Sequence, residues 1–260
     1  MNLTELLQAA RAENGRVVAT VGEDWLQGRS LFGGVQAAIG WCAMRSLVPA
    51  AMPLRTLQMT FIAPIEQGEV VARAHVLRAG KNTMHVEARF GADDATQAVM
   101  LCVFGSARES VVRQNPAPAP PIGERRPIPF VRGIMPSFLQ QFDANLVGGA
   151  GPFAGQAVSG AEFELSLRDP GPFTEAHLLV LADYVPPVAL AWMTKPATGS
   201  SLTWMFELLE PDFSGQPLAG WRAASELTAA RDGYTNQTTT LYAPDGTAVA
   251  LSRQSMVVFG

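Results

Sequence analysis

The chain has 260 residues, of which 48% are hydrophobic and 16% charged, enough for one large domain or two modest ones. Its 19 basic and 23 acidic residues give a net charge of −4, and no basic run alternates with aromatic residues. This composition argues against a nucleic-acid partner. The longest apolar runs are interrupted by glycine, proline or a charge, which argues against membrane insertion.

The two cysteines, Cys42 and Cys102, lie inside apolar segments and are interpreted as reduced core residues of a cytoplasmic protein. Residues 1–15 follow an amphipathic, partly acidic pattern that lacks the basic and apolar regions of a signal peptide. No cysteine or histidine pair has the spacing of metal ligands. The sequence therefore predicts no metal site.

The segment 31–47, LFGGVQAAIGWCAMRSL, is apolar on nearly every side at helical spacing. This pattern predicts a buried helix wrapped by a sheet. At its start, Gly33 and Gly34 leave backbone N–H groups uncovered at the positive end of the helix dipole. A carbonyl oxygen or a phosphate can approach such a place closely. The alternative is that the two glycines form a plain tight turn.

Strand patterns precede and follow this central helix, and turn residues separate them. They cover residues 16–21, 55–62, 68–79, 82–91 and 97–106. A helix followed by a meander of this kind predicts an α+β unit, with the helix lying across the concave face of a curved antiparallel sheet.

The segment 114–129 is dominated by proline, has no apolar periodicity and is interpreted as an extended linker. It separates a predicted first domain, residues 1–113, from a predicted second domain, residues 130–260. The second domain repeats the order of elements, with a helix predicted at 186–194. Its strands are predicted at 201–211, 220–230, 233–242 and 247–259. Two copies of one unit predict an internal pseudo-dimer.

Several of these segments resemble acyl-CoA thioesterase II. Segments similar to the N-terminal half of that enzyme are 28–34 (GRSLFGG), the strand ending at Phe61 and Pro64, and 77–82 (LRAGKN). Segments similar to its C-terminal half are 183–190, 208–211 and 251–254. The resemblance implies two fused hotdog domains, each a long helix wrapped by a curved antiparallel sheet.

In that family an Asp, a Thr or Ser and a Gln hold the water that attacks the thioester. The resemblance assigns Gln254 to the glutamine and makes Thr228 the nearest match to the hydroxyl. It places Thr203 at the Asp position, because the spacing to the proline at the strand end is the same. A threonine can orient water but cannot accept its proton near neutral pH.

Other polar residues are candidates for the same site. Glu207 and Glu226 are candidate substitute bases, and the alternative is that both are ordinary exposed carboxylates. Gln58 is a candidate for lining the cleft, or else makes ordinary hydrogen bonds. Asp183 is interpreted as the N-cap of the second helix, where aspartate is a favoured residue.

The resemblance implies an acyl-CoA thioesterase-like protein whose hydrolysis is weak because Thr203 replaces the family Asp. The alternative is a non-catalytic protein that binds acyl-CoA or an acyl group. Coenzyme A would be part of the substrate, and no separate cofactor is expected. An exposed sheet edge commonly needs a partner, so a homo-oligomer is expected.

Overall fold

The structure is a computed structural model that describes residues 1–92, 95–212 and 215–259. The helices and strands of its first half are α1 (Leu3–Ala9), β1 (Arg11–Glu13), β2 (Arg16–Val21), β3 (Leu26–Gln27), β4 (Ser30–Leu31), α2 (Gly33–Arg45), β5 (Leu54–Phe61), β6 (Gly68–Ala79), β7 (Thr83–Ala92) and β8 (Ala95–Gly105). Those of its second half are β9 (Arg126–Pro127), β10 (Phe142–Gly149), β11 (Gly160–Leu167), α3 (Glu175–Ala182), β12 (Thr198–Leu208), β13 (Trp221–Arg231), β14 (Tyr234–Tyr242) and β15 (Ala248–Phe259).

Within the described residues, thirteen of these strands form one antiparallel sheet in the order β1-β2-β6-β7-β8-β5-β12-β15-β14-β13-β11-β10-β9. The two halves meet where β5 pairs with β12, from Thr56 opposite Glu207 to Thr60 opposite Thr203. Each half therefore contributes its own antiparallel sheet, and the two sheets join edge to edge. The prediction of two fused hotdog domains is confirmed.

Helix α2 is buried on nearly every side, as its apolar sequence predicts. Ala37, Ala38 and Ile39 have no exposed surface and belong to the core beneath the first-half sheet. The polar side chain of Gln36 is tolerated there because its Nε2 donates to the carbonyl of Leu31 at 2.7 Å.

The second helix does not lie at 186–194, so that prediction is wrong. The apolar helix of the second half is α3, and residues 188–192 form only a short 3-10 turn. Pro186 and Pro187 explain the difference, because proline lacks an N–H and disfavours helical geometry in the residue before it. The eight residues upstream, EAHLLVLA, instead begin with a capping box between Thr174 and His177.

The proline-rich segment 114–129 contains no helix and no strand other than β9, and it contacts the second half of the sheet. The backbone N–H of Ala119 donates to the carbonyl of Gly246 at 3.0 Å. The buried guanidinium of Arg222 donates to the carbonyl of Pro120 at 2.5 Å. Its last residues form β9, which pairs with β10 at the sheet edge. The domain boundaries themselves remain a prediction.

No helix in the described ranges is long and apolar enough to cross a membrane.

Candidate active site

Helices α2 and α3 lie side by side and run in opposite directions. Near the end of α2, the indole Nε1 of Trp41 donates to Oε2 of Glu175, at the start of α3, at 2.6 Å. Near the start of α2, a Cβ added to Gly34 would lie 2.9 Å from the Cα of Val180. The C-terminal end of α3 therefore meets the N-terminal end of α2, and only glycine permits so close an approach.

Asp183 follows α3 directly, and its carboxyl group lies at this meeting point. It accepts hydrogen bonds from Nε2 of Gln254 and from the backbone N–H of Gly34. A Cβ added to Gly33 would lie 2.7 Å from the Asp183 Oδ2 and 3.0 Å from the ring of Phe61. The start of α2 and the end of β5 thus enclose the carboxyl, and Gly33 leaves the space that it occupies.

Burial raises the pKa of the Asp183 carboxyl from an ordinary value of 3.8 to about 7. The hydrogen bonds from Gln254 and Gly34 act in the opposite direction, because they favour the ionised form, but burial dominates. A carboxyl with a pKa near 7 can both accept and return a proton at neutral pH. Such a base is the group that Thr203 cannot supply.

Gln254 reaches Asp183 from the inner face of the second-half sheet. It lies on β15 between Trp204 of β12 and Gln237 of β14, and all three side chains are buried. The bond from Gln254 to Asp183 explains how an amide is accommodated among apolar neighbours.

The structure does not bring the two predicted threonines to this site. Thr203 is exposed on the outer face of β12, whereas its neighbour Trp204 faces inward beside Gln254. Thr228 is exposed on β13, where its hydroxyl lies 3.4 Å from that of Thr238. The prediction that these hydroxyls share a water with Gln254 is therefore wrong. The burial of alternate residues, rather than the spacing to a proline, decides which face they occupy.

The remaining candidates also lie on the outer face. Gln58 is exposed and pairs across the seam with Met205, and Glu207 lies on the same face two residues further along β12. Glu226 is exposed on β13. The predictions that Gln58 lines the cleft and that either glutamate replaces the base are contradicted by these positions. Both glutamates are ordinary outer-face carboxylates, the alternative noted from the sequence.

Gly33 and Gly34 do lie at the site. The Gly34 N–H is not free, because it donates to Asp183. Among the described residues, none accepts a hydrogen bond from the N–H of Gly33. One backbone donor therefore remains at the positive end of the α2 dipole.

Asp183 is the residue that sequence reasoning misassigned. It ends a helix rather than capping the start of one, because the helix lies upstream of it. An aspartate at the C-terminal end of a helix dipole is electrostatically unfavourable. That local conflict, together with the two prolines that follow, is the signal that points to a functional role. Among the described residues, no group of His, Cys, Asp and Glu side chains has the arrangement of a metal site.

Both halves of this double hotdog fold match models of known domains. The acyl-CoA thioesterase N-terminal domain matches residues 21–105, and the acyl-CoA thioesterase C-terminal domain matches residues 113–258. The chain therefore belongs to the acyl-CoA thioesterase family, as the sequence resemblance implied.

Solved structures share this fold over the whole chain. A hot dog-fold protein of unknown function from Alicyclobacillus acidocaldarius has a TM-score of 0.85 and 20% identity, covering 100% of this chain and 99% of its own. The acyl-CoA thioesterase II TesB2 from Mycobacterium marinum has a TM-score of 0.73 and 16% identity, with coverages of 98% and 96%. The tesB protein of Mycobacterium avium subs paratuberculosis has a TM-score of 0.78 and 12% identity, with coverages of 99% and 98%. Among curated proteins, none matches the chain significantly.

Proposed function

We propose that the protein hydrolyses acyl-CoA thioesters and that Asp183 is its general base. The observation that carries this proposal is a carboxyl with a pKa of about 7, held between the Gln254 amide and the N-terminus of α2. A base tuned to the working pH is worth ~10² to 10⁴ in rate. The alternative, a protein that binds acyl-CoA without hydrolysing it, depended on the absence of a catalytic carboxylate, and Asp183 supplies one.

The reaction needs one water and no cofactor. Ionised Asp183 takes a proton from the water, whose oxygen attacks the thioester carbonyl carbon. The carbonyl oxygen becomes an oxyanion, for which the Gly33 N–H at the start of α2 is the donor. When the C–S bond breaks, the proton on Asp183 passes to the departing sulfur. The products are a carboxylic acid and the free thiol of coenzyme A.

Ser201 is the hydroxyl that we assign to this site in place of Thr228. A bulge at residue 202 brings Ser201 opposite Met256, which is buried on the inner face of β15. Side chains of directly paired residues point to the same face, so Ser201 lies on the inner face, one row from Gln254. Ser201 and Gln254 are therefore diagonal neighbours on adjacent strands, about 7–8 Å apart, and their side chains share the inner face.

The test measures free-thiol release from acyl-CoAs of increasing length, from acetyl to palmitoyl. We expect hydrolysis by the natural protein and a loss of ~10² to 10⁴ in kcat for Asp183→Asn. Thr203→Val is the matched control, because Thr203 is on the outer face, and it should retain full activity. Binding of acyl-CoA without hydrolysis at any length, or full activity of Asp183→Asn, would overturn the proposal.

A further inference from the structure

The chain makes a sharp break directly after the proposed base. Helix α3 ends at Ala182, two prolines follow at 186 and 187, and the chain then enters the 3-10 turn at 188–192. This break leaves the carbonyl of Val185 and the N–H of Val188 without helical partners, and both residues are buried. A buried backbone group without a hydrogen bond is destabilising, so each of these two groups needs a partner.

One side chain satisfies both of these backbone groups. Oε1 of Gln237 accepts from the N–H of Val188 at 2.9 Å, and its Nε2 donates to the carbonyl of Val185 at 3.5 Å. Gln237 is 2% exposed and lies on the inner face of β14. A single amide therefore bridges the two prolines.

The bridge lies directly beside the contact that holds the base. Gln237 and Gln254 are paired across β14 and β15, and Gln254 donates to the Asp183 carboxyl. The segment 183–188 is consequently fixed at two places by neighbouring glutamines, at the carboxyl by Gln254 and at the backbone by Gln237.

We propose that Gln237 is a positioning residue, which holds the Asp183 carboxyl in its place by bridging the chain break that follows it. This inference rests on the proposed function, because it assigns Gln237 a role in the same reaction. Gln237 acts through the backbone of Val185 and Val188. Without it, those groups need water, and water admitted beside the carboxyl weakens the burial that keeps the pKa of Asp183 near neutrality.

The groups that face the carboxyl are otherwise neutral. They are the Gln254 amide from β15, the Gly34 N–H from α2 and the ring of Phe61 from β5. Among the described residues, no charged side chain contributes to raising or lowering the pKa of Asp183. A change in its titration on altering Gln237 therefore reports the entry of water or movement of the carboxyl.

The experiment compares Gln237→Leu with Thr235→Val. Thr235 lies on the same strand and face, is also buried, and its hydroxyl has no partner in the described part of the chain. The Asp183 carboxyl is titrated by carbon NMR, with Asp183→Asn identifying its signal, and kcat and KM are measured on the same samples. Because titration needs no turnover, failure of the proposed function is distinguished from failure of the positioning role.

For Gln237→Leu we expect the midpoint to fall by at least ~0.5 pH unit, about a threefold change in acid dissociation. We also expect kcat to fall at least ~5-fold with KM within ~2-fold, since the carboxyl rather than substrate binding is disturbed. Thr235→Val should match the natural protein in titration midpoint, kcat and KM. If Gln237→Leu does not fold, Gln237→Thr takes its place, because threonine leaves room for water and favours strands. It should move the titration midpoint in the same direction.

The outcome that would overturn the proposal is an unchanged midpoint and an unchanged kcat in a folded Gln237 variant, however much its stability falls. That result would assign Gln237 a structural role alone. A natural protein that titrates near 7 but hydrolyses no acyl-CoA would instead count against the proposed function.

Discussion

The two halves of the sheet share a backbone plan, but the inner face of the second half carries more polar side chains. Met59 and Trp204 lie opposite each other at the seam, and each half repeats the same pairing outward from there. At six equivalent positions the second half has a buried polar residue where the first half has a buried apolar one. The pairs, second half first, are Ser225 and Ala72, Thr239 and Phe90, Ser252 and Ala98, Gln254 and Met100, Gln237 and Ala88, and Thr235 and Val86.

The helices above the two faces explain the contrast. Helix α2 is continuous for 13 residues and bonds its own backbone internally, so its sheet needs no polar side chains. Helix α3 stops after eight residues, and the break at 183–187 brings a carboxyl and unpaired backbone groups inside. Gln254 and Gln237 supply their partners. The two glutamines are therefore a consequence of building the site, whereas Ser225 and Thr239 bond each other and Ser252 accepts from the Trp204 indole.

The contrast also shows how a duplicated unit is specialised. Met100 stands where Gln254 stands in the other half, and its sulfur would lie 2.8 Å from a Cβ added to Gly40 of α2. The first half uses its inner face for close helix packing, whereas the second half gives up apolar packing there to bond the buried Asp183 carboxyl, which we propose as the base.

The most damaging change gives the second half the first half's residue. Gln254→Met removes the amide that bonds Asp183, and we expect kcat to fall ~10²-fold or more, within the range that a general base contributes. The lost hydrogen bond favoured the ionised carboxyl, so the acid limb of the pH–rate profile should move to higher pH. The measurement is acyl-CoA hydrolysis from pH 5 to 9. An unchanged profile would separate Gln254 from the base.

The reverse exchange tests the first half. Met100→Gln buries an amide beneath a helix whose backbone is already bonded, and should destabilise the protein by ~1–3 kcal/mol. Met100→Leu is the matched control, expected to cost less than ~1.5 kcal/mol because its volume is nearly conserved. Denaturant unfolding of both variants measures the difference. Equal stabilities would mean that the first half tolerates polarity as well as the second.

The pH dependence of stability gives a further test. The folded-state pKa of Asp183 is raised to about 7, so between about pH 4 and 7 the folded chain binds a proton that the unfolded chain releases. Its contribution to stability is therefore lost as pH rises through that window. We expect the free energy of unfolding of Asp183→Asn, relative to that of the natural protein, to rise by ~1–3 kcal/mol from pH 5 to pH 8. The reason is that each tenfold change in acid dissociation on folding corresponds to ~1.4 kcal/mol. A pH-independent difference in urea unfolding would contradict it.

Local patterns in the sequence predict most of the fold. The predicted strand 16–21 coincides with β2, and 68–79 with β6, because alternation and turn residues mark them. The central helix is identified by its continuous apolar sequence. Strands β10 and β11 were not predicted.

The site is harder to predict because strand faces are set by tertiary packing. The sequence YTNQTTTLY of β14 is polar at nearly every position, so alternation gives no indication that Thr235, Gln237 and Thr239 face inward. Gln254 was identified through the family resemblance, and Asp183 was misassigned because its helix was placed downstream. With the helix downstream of the two prolines, Asp183 would be an N-cap, whereas the helix upstream of them makes it the C-cap.

The smallest expected effect belongs to the outer face. Glu207→Gln and Glu226→Gln alter carboxylates on the face opposite to Gln254, away from the Asp183 carboxyl. We expect each to change stability by no more than ~0.5 kcal/mol, as surface substitutions usually do, and to leave kcat unchanged. Thr203→Asp should likewise give no gain, since an added carboxylate there faces solvent. The three variants are compared with the natural protein in the same thiol-release assay. A large loss in either glutamate variant, or a gain from the aspartate, would place catalysis on the outer face and make the inner-face polarity of the second half a feature of packing alone.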